Sequence, residues 1–242
     1  MTSLLKKTFT SLKKNGLIST FKSICAHLFI FNTPLNKLKL KFFIYLHNLS
    51  YRRLTSLARR LNNGDHPKRK ILDYKSFFLK NIFFEDSILD IGCHSGYLSF
   101  LSAKKAKKVT GIDINSKNIS LAKSKYHLSN LEFINADATE YPFKEKFDKI
   151  ILSNVLEHIE NRIEFLNKIS HLSDIILIRV PLITRDWLSV YKKDNGFEYR
   201  LDPTHFIEYT KDSLKEEISS ADLSIKDYSI QFGEFWGILI KK

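Results

Sequence analysis

The stretch Ser87-Ile-Leu-Asp-Ile-Gly-Cys-His-Ser-Gly-Tyr97 limits what this chain can fold into more than any other. Ser87 to Ile91 is a short apolar run of the kind that makes a strand buried on both faces. It ends in a turn carrying Gly92 and Gly96, and Tyr97 to Ala106 then reads as a helix. Strand, glycine turn and helix N-terminus together present bare backbone N–H groups to a nucleoside-bearing ligand. Asp90 stands at the strand's end, where it could grip an amine or hydroxyl of such a ligand. Many helix-capping turns contain two glycines, so the reading rests on the strands downstream of this one.

Lys108 to Asp113 is a second strand, and its terminal acid comes 23 residues after Asp90. That is close to the offset of about 20 residues at which a carboxylate meets ribose hydroxyls. A third strand, Leu131 to Ala136, delivers Asp137, and a fourth, Phe147 to Leu152, runs into Ser153-Asn-Val-Leu-Glu-His-Ile159. Beyond these the spacing predicts a helix over Arg162–His171 and a fifth strand over Asp174–Pro181. An irregular polar-aromatic insert, 182–208, comes next, followed by a helix from Asp212 to Ala221. Leu223–Ile230 and Phe235–Ile240 read as a closing hairpin, and Lys68–Asn81 as a helix leading into the first strand. Strands alternating with helices predict an α/β fold.

The order Leu-Asp-Ile-Gly-Cys-x-Ser-Gly, Gly-Ile-Asp, Asn-Ala-Asp-Ala and Asn-Val-Leu-Glu-His-Ile resembles the class I S-adenosylmethionine-dependent methyltransferases. The resemblance is to the small-molecule, ubiquinone-biosynthesis-like type, and it covers roughly residues 66–242. It implies a Rossmann-like, seven-stranded, mostly parallel sheet with helices on both faces and a C-terminal β-hairpin. It also implies S-adenosylmethionine as cofactor. Asp113, with Ile114 beside it, would take the ribose, and Asp137 with Ala138 the adenine edge. Asp90, Gly92 and Gly96 would surround the methionine moiety, and the backbone of Asn154 would approach its amino-acid end. One departure is His94, where the family has a middle glycine. A non-glycine residue tolerates positive φ poorly, although His is among the less penalised types, so a weakened or reshaped turn is expected.

Methyl transfer to a hydroxyl needs alignment, a dry pocket and a proton acceptor. The first candidate acceptor is His205, in Asp202-Pro-Thr-His-Phe, and the second is His158; Glu157 would orient a neighbouring group. No metal ligand set is assigned, and a divalent ion is left open. Arg179, Arg185, Arg200 and Tyr191 would face the acceptor, the arginines recognising an anion such as a phosphate or uronate. The alternative is Arg–Asp pairing that staples the insert.

Charge divides the chain. Residues 1–80 hold 17 Lys/Arg and only two acids, Asp65 and Asp73, whereas the remainder is close to neutral. Residues 1–65 are therefore expected to be a basic, amphipathic helical extension, and 66–242 the methyltransferase domain. One stripe follows Leu5, Phe9, Leu12, Leu17, Phe21, Ile24 and Leu28, and another follows Leu35, Leu38, Phe42, Leu46 and Leu49. Apolar runs this short do not span a bilayer, which requires about 20 residues, and the pattern is not that of a cleaved signal peptide. An anionic membrane surface, a helical lid on the domain and a nucleic-acid arm remain as readings, the last disfavoured because the aromatics lie on the apolar stripe. Cys25 and Cys93 lack metal-ligand spacing and suit reduced thiols in a cytoplasmic protein, peripheral on the inner face of the membrane.

The expected function is O-methylation of a small-molecule, glycan or lipid-linked acceptor near a membrane. The alternatives are methylation of a quinone or lipid head group, and a non-catalytic cofactor-binding scaffold.

Overall fold

The computed structural model describes residues 33–62 and 66–242, so the first amphipathic segment, Cys25 and the centre of the linker lie outside the described residues. The chain divides into two units, Met1–Lys70 and Ile71–Lys242. In the first, α1 (Thr33–Leu61) is one continuous helix with Arg59 and Arg60 in its last turn, where cations complement the helix dipole. The predicted stripe of Leu35, Leu38, Phe42 and Leu49 is exposed on it. Ile44 is buried instead, about half a turn round the helix from Leu35.

The helix predicted over 68–81 is two helices, α2 (Lys68–Leu72) and α3 (Tyr74–Lys80). Asp73 between them has φ 45°, which breaks the helical path, and its carboxylate accepts the Ser76 hydroxyl at 2.5 Å. There follow β1 (Ser87–Ile91), α4 (Tyr97–Ala103), β2 (Lys108–Asp113), α5 (Ser116–Lys125), β3 (Leu131–Asn135), β4 (Lys149–Ser153), α6 (Arg162–Ser170) and β5 (Ile175–Pro181). The insert is not irregular throughout: α7 (Trp187–Asp194) lies within it, capped by the Asp186 carboxylate on Ser189 N–H at 2.7 Å. α8 (Lys211–Ser220), β6 (Leu223–Gln231) and β7 (Glu234–Lys241) close the chain.

The sheet order is β3-β2-β1-β4-β5-β7-β6. The first five strands run parallel, and β7 pairs antiparallel with both β5 and β6. Alternation along the strands sorts the core. Ile88, Val109, Ile151 and Leu177 pack with Phe78 of α3 and Leu98 of α4. Leu89, Ile91, Ile150, Leu152 and Ile178 pack with Leu166 of α6 and Leu214 and Ile218 of α8. Helices therefore cover both faces, as a mostly parallel sheet requires.

The turn after β1 holds His94 in a left-handed conformation. Gly92, His94 and Gly96 have φ of 68°, 50° and 78°, all in the left-handed region. At Gly96 space is also short, because an added Cβ would come within 2.6 Å of the Phe133 ring and 2.8 Å of Ala122 Cβ. Gly96→Ala is expected to cost about 2–4 kcal/mol, from left-handed backbone and overpacking together. A urea midpoint equal to that of the wild type would show that the turn relaxes freely.

Candidate active site

The carboxyl ends of β1, β2, β3 and β4 lie on one edge of the sheet, and strand order turns outward on either side of β1 and β4. Ligands of open α/β sheets bind in the crevice at such a point. The cavity there, of about 940 Å³, is lined by Gly92, His94, Asp113, Ile114, Asp137, Ala138, Asn154, His158 and Phe206, among others.

Asp113 fixes the turn. One carboxylate oxygen accepts the His94 N–H at 2.8 Å, and the other accepts the Asn115 N–H at 2.8 Å. This bond across the strands holds His94 at positive φ. Asp137 turns its own chain by accepting the amide and hydroxyl of Thr139 at 2.8 and 2.7 Å. Asn154 has φ 58°, and its N–H donates to the Arg179 carbonyl at 2.8 Å. Its side-chain oxygen is buried without a partner.

Two residues expected to touch the cofactor stand behind the wall instead. Asp90 is buried beneath the turn and accepts the Ser99 hydroxyl at 2.6 Å, while burial pushes its carboxyl up to about 7. Gly96 packs on Phe133 and Ala122. Neither lines the cavity, whereas their neighbours Ile91, Gly92 and His94 do.

Leu156–His158 forms a single 3₁₀ turn after β4, and His158 lines the same cavity. The insert returns to it: Phe206 N–H donates to the Glu157 carbonyl at 2.9 Å, and Thr204 Oγ1 lies 2.9 Å from His158 Nδ1. His205 is next in the chain, its ring 4.6 Å from that of His158 and nearly perpendicular to it. His158 lines both the main cavity and a smaller one shared with Arg200, Pro203, Thr204, His205 and Phe206. His205 is buried, and its Nδ1 faces Glu208 Oε1 at 2.8 Å. Burial and the neighbouring His205 lower the pKa of His158. Glu157 is fully buried, with neither carboxylate oxygen hydrogen-bonded. Burial pushes it up to about 7; its own amide, His205 and Arg179 oppose that rise.

The three arginines are each paired, as in the alternative reading, but chiefly with glutamates; Arg185 alone also has an aspartate neighbour. Arg179 is buried, makes a two-pronged bond to Glu234 at 2.6 and 3.2 Å, and lies 4.2 Å from the Tyr74 ring centroid. Arg185 bonds Glu208 and the Tyr199 carbonyl, with Asp186 at 3.9 Å. Arg200 bonds Glu198 at 2.8 Å but is partly exposed beside the smaller cavity. Tyr191 stacks at a tilt on exposed Trp187 and lines neither cavity. Sequence reading missed the partners Glu208, Glu234, Thr204 and Asp202; of these, the Asp202-x-Thr204 spacing of a side-chain-capped turn was a usable signal. Because removing one member of a buried pair strands the other charge, Arg179→Met is expected to lose about 3–5 kcal/mol of stability. Unchanged stability with a raised acceptor KM would instead place Arg179 in recognition.

Residues 88–173 match the family described as "Methyltransferase domain". N-methyltransferase 4 of Papaver somniferum is 40% identical over 92 residues, 35% of this chain and 26% of the relative. The ubiquinone biosynthesis O-methyltransferase of Pseudoalteromonas translucida is 31% identical over 94 residues, 37% of this chain and 40% of the relative. The matches span between 25% and 40% of the length of the curated relatives. Among solved structures, magnesium protoporphyrin IX methyltransferase from Synechocystis PCC 6803 superposes with a TM-score of 0.57 at 19% identity, covering 72% of this chain and 83% of that one. The family match over residues 88–173 and the sheet order agree: this stretch resembles a methyltransferase domain, and the sheet has the Rossmann-like fold of that solved structure.

Proposed function

We propose that the chain binds S-adenosylmethionine across the exits of β1 to β4 and transfers its methyl group to a hydroxyl of a small-molecule, glycan or lipid-linked acceptor. The observation that carries this reading is that His158 lines the same cavity as Asp113, Asp137 and Asn154. Asp113 and Ile114 would hold the ribose, Asp137 and Ala138 the adenine edge, and Gly92 and Asn154 the amino-acid end. The cofactor supplies a methyl group on a sulfonium. The acceptor oxygen attacks the methyl carbon, the carbon–sulfur bond breaks with its electron pair staying on sulfur, and the hydroxyl proton passes to His158.

His158 takes precedence over His205 for this step. It reaches the main cavity, whereas His205 stands behind it, tied to Glu208. The tautomer also fits. Thr204 gives its hydroxyl proton to Asp202 Oδ1 at 2.7 Å, so it accepts from His158 Nδ1–H and leaves Nε2 bare. Of the three arginines, the partly exposed Arg200 remains the one suited to an anionic acceptor. The insert 182–208 supplies Phe206 to the wall and would face the acceptor.

A membrane-proximal acceptor is supported by α1. Its 29 residues hold seven Lys/Arg and no acid, and its apolar stripe is exposed. Among the described residues no helix is long and apolar enough to cross a membrane, so the helix would lie on an anionic surface, gaining about 1 kcal/mol per basic residue.

Calorimetric titration is expected to show S-adenosylmethionine binding that weakens in Asp113→Asn. The His158 pKa lies below its ordinary 6.5, so the ring is neutral at pH 7 and protonates only as pH falls further. Methyl transfer should therefore fall off on the acid side at a midpoint below 6.5. His158→Gln should remove that limb and lower kcat by about 10²–10⁴, with cofactor affinity retained. No cofactor binding by the wild type would remove the reading, and an unchanged pH profile in His158→Gln would remove the acceptor role. The protein should also sediment with anionic vesicles at low salt and release at high salt; an absence of sedimentation would discard the membrane.

A further inference from the structure

We propose that Glu157, His158 and His205 form a binding site for one divalent transition-metal ion. Each offers one donor atom, and these atoms lie within 4.8 Å of one another. Proton counting makes the cluster unusual. Asp202 takes the Thr204 hydroxyl proton, so Thr204 can only accept from His158 Nδ1. Glu208 accepts from His205 Nδ1 at 2.8 Å while bonded to Arg185 and the Leu201 N–H. Each neutral ring therefore carries its proton on Nδ1 and its lone pair on Nε2. Each ring thus keeps one nitrogen free to ligate, in a cluster with a fully buried carboxyl group that has no hydrogen-bond partner.

A shared proton would need hydrogen-bond contact, and Glu157 has none. A metal ion does not. With bonds of about 2.0–2.2 Å it bridges donors about 3.0–3.5 Å apart, so the three need to close by an ångström or somewhat more. Two imidazoles and one carboxylate suit zinc, cobalt or manganese, whereas magnesium and calcium prefer oxygen donors throughout. Thr204 and Glu208 provide the outer hydrogen bonds that orient ligating histidines.

His158 also lines the main cavity, so the remaining coordination positions would face it. An acceptor oxygen bound there would lose its proton at a lower pKa. This last consequence rests on the proposed methyl transfer; ion binding does not. The ion would take the same Nε2 lone pair that otherwise accepts the proton, so the two roles of His158 alternate.

The test is titration of the untagged, chelator-treated full chain with Co²⁺ followed by absorption and with Zn²⁺ by calorimetry, both without S-adenosylmethionine. One equivalent is expected to bind. Glu157→Gln, His205→Ala and His158→Gln should each weaken binding at least tenfold, while His171→Ala, at an exposed histidine, should leave it unchanged. Circular dichroism shows which variants fold, and the more accessible His158→Gln decides where the buried two do not. No binding of either ion by the wild type at millimolar concentration overturns the proposal. So does wild-type affinity in the folded variants.

Discussion

Parallel strands deliver all their carboxyl ends to one edge, and this sheet reverses its strand order there. β2 and β3 lie to one side of β1, and β4 and β5 to the other. The helices that return the chain must then leave on opposite faces, and the gap between them is the cavity. The Asp113 bonds to His94 and Asn115 hold the rim of that gap in place. Because the bond to His94 runs from one strand's exit to the next strand's turn, it restrains a residue at φ 50° that would otherwise cost stability. His94 is thus held at positive φ by a bond from its own backbone N–H.

Much of this was legible because buried parallel strands are short apolar runs and their exits carry acids. The bounds of β1 and β2 were legible to the residue. Helix ends were overrun by a few residues: Lys104 caps α4 although the apolar pattern continues to Ala106. The helix α7 was illegible for a different reason. Its buried residues are Ser189 and Lys192, while the apolar Trp187, Leu188, Val190 and Tyr191 are exposed or half-buried, so the helix is short and not anchored by an apolar face, and the Asp186 cap marks its start. The break at Asp73 was equally hidden, since neither glycine nor proline marks it.

The arginines show where sequence reading stops. A charge in a polar insert looks the same whether it awaits a ligand or holds a loop. Here Glu234 comes from β7 and Glu208 from the end of the insert, 55 and 23 residues from their partners. Only the tertiary fold could pair them. The Arg185–Glu208 pair ties the two ends of 182–208 together, and within that segment Thr204 and His205 lie against the turn after β4.

The same geometry explains why the candidate site clusters on Glu157 and His158. They lie just beyond the fourth strand, at the edge where strand order reverses, and the insert can reach them only by crossing the cavity mouth. Its Phe206 N–H anchors to the Glu157 backbone, which leaves the Glu157 side chain buried beneath the crossing and the His158 ring at the cavity wall. A carboxylate buried there without a donor is costly unless a positive charge meets it. No arginine pairs directly with it: Arg179, Arg185 and Arg200 each bond another carboxylate, and of these only the field of Arg179 reaches it. The buried Glu157 carboxyl group therefore clusters with the His158 and His205 rings beside the cavity, which is why the proposed proton acceptor and the proposed ion site fall on the same residues.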